Sequence, residues 1–284
     1  MAKIALMTDS TTYVPKELSK GYDIHVVPSV IIWGEEVLKD GVDIQPTEFY
    51  KRLATSKDTP TTSQPTPAFF IEKLEQLASQ GYTDILGVFV SAKFSGTIAS
   101  AEQAKQQLPK INFTIVDGHS ASMGTGWPLL EAAKAVKAGK SVEECVKIVE
   151  SARNNTGVLL MVDTLEFLHR GGRIGGAQRF VGTALNLKPI LEVVHGGLEA
   201  VERVRTKSKA LDRLAELLVA RVGGRKPVRL AVLHANALED AKTLLAEGVK
   251  RVDPVETTLS DVSPAVGTHT GPGTLGFAFM AGVN

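Results

Sequence analysis

The sequence predicts an α/β fold in two domains, and three observations carry that reading. Short runs rich in Val and Ile alternate with segments of helical period. Up to about residue 155 the alternation is regular, the pattern of parallel strands joined by helices. Beyond it, two apolar runs flank the turn His195-Gly196-Gly197 and read as an antiparallel hairpin, a different texture. A boundary near 154–156 therefore separates a mostly parallel N-terminal domain, 1–155, from a mixed α/β C-terminal domain, 156–284.

In chain order, strand 3–7 is followed by helix 15–19, strand 24–32 by helices 47–54 and 67–79, strand 84–90 by helix 96–108, and strand 113–117 by helices 128–138 and 142–153. Pro67 suits the first position of its helix, where its missing N–H costs nothing. In the second half, strand 158–162 precedes helices 164–169 and 176–183. The hairpin arms are 190–194 and 198–205, the latter with its strand core at 201–205. Helix 208–222, strand 229–234, helix 238–247 and strand 255–259 follow, and the glycine-rich stretch 267–273 reads as a loop. Internal repeats and low-complexity segments are not detected.

The chain has 284 residues, 43% of them hydrophobic, with 32 Lys+Arg against 31 Asp+Glu and a formal net charge of +1. That balance, with no Lys/Arg-rich run, supplies no electrostatic footprint for nucleic acid or an anionic membrane surface. The single cysteine, Cys145, can make no internal bridge, and a chain of this length buries a core without such staples. No run approaches the roughly 18–20 apolar residues that span a bilayer, and the N-terminal segment has no apolar stretch long enough for export. An integral membrane segment is not expected, and a cytoplasmic location is.

Chemistry-bearing residues fall into small clusters. Ser95-Gly96-Thr97 follows a buried strand and opens a helix; free N–H groups and the helix dipole favour a carboxylate or phosphate there, with two hydroxyls as further donors. The alternative is that Ser95 only caps the helix. Thr61-Thr62-Ser63-Gln64-Pro65-Thr66 is a second hydroxyl cluster before a helix, or else a polar turn with an N-cap. Asp9-Ser10-Thr11-Thr12 closes the first strand, where parallel α/β sheets place ligands. The basic glycine-rich loop Arg170-Gly171-Gly172-Arg173-Ile174-Gly175-Gly176 can grip an anion or a partner's acidic patch, or simply end a helix. It lacks the G-x-G-x-x-G order, and Gly139-Lys140-Ser141 lacks the glycine of a Walker A loop at 134, so nucleotide binding is poorly supported. Gly267-Thr268-His269-Thr270-Gly271-Pro272-Gly273 places a histidine in what reads as a loop able to approach a ligand closely, or as solvated surface. His25, His119, His169, His195 and His234 show no ligand spacing, so no metal is expected.

Together, Thr8-Asp9-Ser10, Thr62-Ser63-Gln64-Pro65, Phe94-Ser95-Gly96-Thr97, Gly171-Gly172-Arg173-Ile174 and Gly267-Thr268-His269-Thr270-Gly271-Pro272-Gly273 resemble the DegV family of bacterial fatty-acid-binding proteins, in order and spacing over nearly the whole chain. The resemblance implies two α/β domains, a DegV-type parallel-sheet domain and a mixed one. A long-chain fatty acid lies buried between them, and the last segment, about 262–284, returns to the ligand. It implies a carrier without a cofactor, of the kind that serves as the binding subunit of fatty acid kinase. Such a carrier presents its acid to a separate ATP-dependent catalytic subunit for acyl-phosphate formation, feeding phospholipid synthesis, with transient membrane contact for acid exchange. The family pattern puts the carboxylate on Thr62 and Ser95 with His269 in the same network, and Ser63, Gly96, Thr97 and Thr268 in support. Arg173, with Arg170, falls to the outer face of the carboxylate or to docking the kinase. Ile98 stands where the family pattern leads us to expect an aromatic residue, which bears on tunnel width. On this reading the anion site has hydroxyl donors and no strong cation.

Magnitudes favour a lipid over a small acid: burying a sixteen-carbon chain at ~0.8 kcal/mol per CH₂ yields on the order of 10 kcal/mol before ordering costs. Each charge-assisted hydrogen bond to the head group adds only ~1.5–3 kcal/mol. The competing class is an acyl hydrolase or acyltransferase with Ser95 as nucleophile, His269 as base and Asp9 orienting it. Against it, Lys93 and Thr97 stand where the nucleophile elbow needs glycine.

Overall fold

The computed structural model describes residues 3–182 and 187–283. β1 (Ile4–Asp9) runs through a 3-10 turn, Ser10–Thr12, to the short α1 (Lys16–Ser19) and then β2 (Ile24–Val27). The single strand expected over 24–32 is in fact two. Pro28 has no N–H to give a ladder, so the chain leaves β2's sheet there and begins β3 (Val30–Trp33) in another. β3 pairs antiparallel with β4 (Glu36–Lys39) and, after α2 (Pro46–Leu53), with β5 (Thr61–Ser63). The Thr-rich cluster before the third helix is thus mostly strand, and only Thr66 caps: its hydroxyl accepts from the Phe69 N–H of α3 (Pro67–Ser79).

β6 (Asp84–Phe89), α4 (Thr97–Gln107), β7 (Asn112–Asp117), α5 (Met123–Lys137) and α6 (Val142–Asn154) follow. The first sheet has the order β2-β1-β6-β7, all parallel. α3 and α4 cover one face through Phe70, Leu74, Ala101 and Ala104 against Ala5, Met7, Ile85 and Phe89. α5 and α6 cover the other through Leu129, Ala132 and Val149 against Leu6, Leu86 and Val88. α5 begins at Met123, five residues before the start expected at Pro128, because Gly124 and Gly126 disguise a buried helical turn packed against Ser120, Val158 and Met123.

The second sheet takes the order β10-β9-β8-β13-β11-β12. Its elements are β8 (Thr156–Met161), α7 (Glu166–Arg170), a 3-10 stretch at Gly175–Phe180, β9 (Lys188–Val194), β10 (Gly197–Val204), α8 (Lys207–Val222), β11 (Val228–His234), α9 (Leu238–Val252), β12 (Glu256–Asp261), α10 (Pro264–Thr270) and β13 (Leu275–Ala281). Only β11 and β12 pair parallel, so the sheet is mixed. The hairpin turns on His195 and Gly196, both at positive φ as a two-residue turn of the favoured hand requires. The helix expected over 176–183 is the 3-10 stretch instead, started by two glycines that a helix disfavours; residue 183 lies outside the described residues. β13, unread in the sequence, is the central antiparallel strand with all seven residues buried.

α8 and α9 cover one face of this sheet through Leu214, Leu218 and Leu244 against Leu230, Val232 and Phe277. The opposite face, with Val158, Leu160, Leu191, Ala231 and Ala278, meets α5, and the Trp127 Nε1–H donates to Ala278 O at 3.0 Å. Between that face and the carboxyl ends of β1 and β6 a cavity is left. No helix among the described residues is long and apolar enough to cross a membrane.

Candidate functional site

The cavity takes in about 950 Å³ of empty space counted out through its open mouth into solvent. Most of its wall is hydrocarbon: Val158 and Leu160 from β8, Val193 and Leu198 from the hairpin, Leu233 from β11, and Val262, Ala265 and Val266 at and before the start of α10. Against this stand Thr62, Ser63, Gln64, Ser95, Arg173 and His269.

His269 does not lie in a loop. Ser263 caps α10 by accepting from Val266 N–H, Pro264 takes the first position, and the helix runs to Thr270. Position 267 takes glycine within the helix because a Cβ there would sit 2.3 Å from the Tyr50 hydroxyl of α2, and Gly271 ends the helix at φ +77° against the Phe167 ring. The imidazole Nε2 lies 2.7 Å from Thr62 Oγ1 on β5. Its Nδ1 is buried without a hydrogen-bond partner among the described residues and touches Gly171, where any Cβ would fall 2.1 Å from that nitrogen. Burial, and then the positive charge of Arg173, push the imidazole down to about 4, so it is neutral near pH 7.

Arg173, on the basic glycine-rich loop, stands on the cavity wall, so a cation accompanies the hydroxyls that the sequence reading gave without one. The guanidinium is half-buried on the cavity wall, its Nε–H donating to Phe94 O at 3.0 Å and an Nη1–H to Gly171 O at 2.7 Å. The first of these contacts holds the guanidinium on the backbone of Phe94, the residue before Ser95. The Ser95 hydroxyl faces the cavity, 2.8 Å from Thr97 Oγ1, and also accepts from Thr97 N–H at 3.3 Å. Gly96, rather than Ser95, is the cap residue of α4, and the Gln64 side chain packs on it closely enough that a Cβ there would push Gln64 aside by a few tenths of an ångström.

Thr62, Ser63, Ser95, His269 and Arg173 therefore share one wall, while four other expected residues do not reach it. Thr97 is fully buried and acts only by holding Ser95. The Thr268 hydroxyl donates to its own helix at Pro264 O, 2.9 Å. Gly96 lies behind Gln64. Arg170 points away, paired with Glu166 at 3.5 Å and lying over the Phe167 ring. Ile98 packs into the core beneath the first sheet, so the width of the cavity does not depend on it.

The hydrolytic constellation is not assembled. Ser95 bonds Thr97 and His269 bonds Thr62, so nucleophile and base do not meet. Asp9 is spent elsewhere: buried, its carboxylate accepts from Thr11 N–H at 3.0 Å and Val90 N–H at 2.8 Å, and burial raises its pKa. What the geometry offers is hydroxyls, a neutral imidazole and one cation beside a hydrocarbon cavity, the complement of a long amphiphilic anion. The wall residues Ser29 and Ser122 carried no motif in the sequence, and the apolar wall is drawn from strand positions that read only as core.

Comparison with known proteins finds the DegV family model matching residues 3–282. A DegV domain-containing protein of Halalkalibacterium halodurans is 34% identical over 279 residues, 98% of this chain and 99% of that protein. Among solved structures, a DegV family protein from Thermus thermophilus, described for its fatty acid binding, superposes with a TM-score of 0.91 at 36% identity, covering 98% of this chain and 99% of that one. DegV from Bacillus subtilis, described as a fatty acid binding protein, does so with a TM-score of 0.91 at 33% identity, covering 99% and 100%.

Proposed function

Since the chain belongs to the DegV family, we propose that it binds one long-chain fatty acid in the cavity between the second sheet and the ends of β1 and β6. The observation that carries this reading is that the hydrogen-bonded pair Thr62–His269, the Ser95 hydroxyl and the Arg173 guanidinium all line one cavity whose exposed wall is mostly hydrocarbon. The carboxylate would take hydrogen bonds from Thr62 and Ser95 and the charge of Arg173, and the tail would lie along Val158, Leu160, Val193, Leu198 and Leu233. Tail burial supplies most of the affinity and the head group sets orientation.

In this reading the protein is a cytoplasmic carrier, and the chemistry happens on a separate ATP-dependent fatty acid kinase that phosphorylates the presented carboxylate for phospholipid synthesis. The division into units 1–155 and 156–284 is part of the proposal: β1 to β7 pair only among themselves, as do β8 to β13, with α5 packed between.

Mass spectrometry of organic extracts from protein purified out of cells tests the binding. Stoichiometric long-chain acid is expected. An extract without lipid, together with no thermal stabilisation by palmitate or oleate, rejects it, because ligand at 100 times its Kd adds ~2.7 kcal/mol. Acyl phosphate should then form only when a fatty acid kinase and ATP are added to the loaded protein.

A further inference from the structure

Two hydroxyls on the cavity wall are left over by the head-group site. Ser122 is 3% exposed and occupies the cap position of α5, yet makes no capping bond; Ser29 is 4% exposed. Both line the cavity, and among the described residues neither hydroxyl has a hydrogen-bond partner. The other threonines on the wall are satisfied by the protein: Thr11 by Asp9, Thr270 by Val266 O, and Thr274 by Thr270 O and Gly271 O. An unpaired hydroxyl in a hydrocarbon wall costs free energy unless something in the cavity pairs with it.

The two serines abut the same 3-10 turn. Ser122 N–H donates to Thr11 O at 3.2 Å, and Ser29 N–H donates to Ser10 Oγ at 3.0 Å. Behind that turn stand two buried carboxylates, Asp9 on Thr11 and Asp40, which accepts from Ser10 Oγ at 2.7 Å. Neither brings positive charge to this wall, whereas Arg173 supplies it on the head-group wall. A serine hydroxyl donates and accepts, so the complement is an uncharged oxygen function.

We propose that Ser29 and Ser122 form a second polar station that pairs with a hydroxyl carried on the acyl chain, so that the ligands of this cavity include long-chain hydroxy acids. This rests on the fatty-acid reading above and names a substrate class within it.

The test is a titration of the delipidated protein with stearic acid and with a set of monohydroxy-octadecanoic acids differing in hydroxyl position. One narrow range of positions should match or exceed stearic acid, with the remaining isomers at least tenfold weaker. Ser29→Ala, and Ser122→Gly, which suits the φ of +50° at that position, should each lower the ratio of hydroxy-acid to stearic-acid affinity about five- to tenfold for the favoured isomer. Stearic acid binding with every isomer equally weakened, or an unchanged ratio in both variants, overturns the station alone. Failure of stearic acid to bind overturns the fatty-acid reading beneath it.

Discussion

Thr62 Oγ1 and His269 Nε2 lie 2.7 Å apart across 207 residues of chain. The contact joins β5 to α10, and with the imidazole neutral its tautomer decides which atom donates. In the tautomer with the proton on Nε2, the imidazole donates to Thr62 and leaves the threonine O–H free to donate to a carboxylate.

Thr62→Val keeps the shape of the side chain and removes its O–H, leaving His269 Nε2 unpaired. Fatty acid affinity should fall by roughly 1–3 kcal/mol, about 5- to 150-fold, and Ser95→Ala should cost a similar amount. Calorimetric titration of both variants checks this, and unchanged affinity in both returns the hydroxyls to a purely structural role.

His269 titrates at about 4 in the folded chain against 6.5 in a model peptide. Between those values the unfolded chain binds the extra proton, so the stability from this residue is fully present above pH 6.5 and is lost as pH falls toward 4. The whole effect is about 3 kcal/mol. The stability advantage of wild type over His269→Asn should shrink across that window in thermal melts; a pH-independent difference rules the assignment out.

Arg173→Ala should weaken fatty acid binding about tenfold or more, since a half-buried guanidinium contributes a charge-assisted contact, and Arg173→Lys should lose less. The same substitution removes the charge that helps push the imidazole down, so the His269 NMR titration should move up in Arg173→Ala. An unmoved titration with unchanged affinity would put Arg173 outside the site.

Asp40 is fully buried, accepts from Ser10 Oγ at 2.7 Å, and is pushed by that burial up to about 7 from 3.8. Its folded form holds the proton longer than the unfolded chain does, so its contribution is fully present below pH 3.8 and is lost as pH rises through about 7. Asp40→Asn stays neutral throughout. Its melting temperature relative to wild type should climb between pH 5 and pH 8, and a constant offset contradicts the buried carboxyl.

The legible parts of this molecule were those with local periodicity. α3 was readable to the residue because Thr66 and Pro67 mark its start, and the hydroxyl clusters around Thr62 and Ser95 stood out as strings of one chemistry. β13 was hidden because both its faces are covered, which replaces alternation with a continuous apolar run interrupted by Gly276, a glycine that the Leu159 carbonyl of β8 requires. α10 was hidden because Gly267 looks like loop until Tyr50 is seen against it. The position of Arg173 on the wall depends on Phe94, 79 residues away, and no local pattern contains that.

If one fatty acid sits with its carboxylate on Thr62, Ser95 and Arg173, palmitate carrying ¹³C at the carboxyl, titrated into delipidated protein, should give a single bound carboxyl signal in NMR at one acid per chain. That signal should stay ionised below the ordinary carboxyl range because of Arg173, and its shift should change in Thr62→Val. No bound signal, or one that titrates as the free acid does and ignores Thr62→Val, would contradict it.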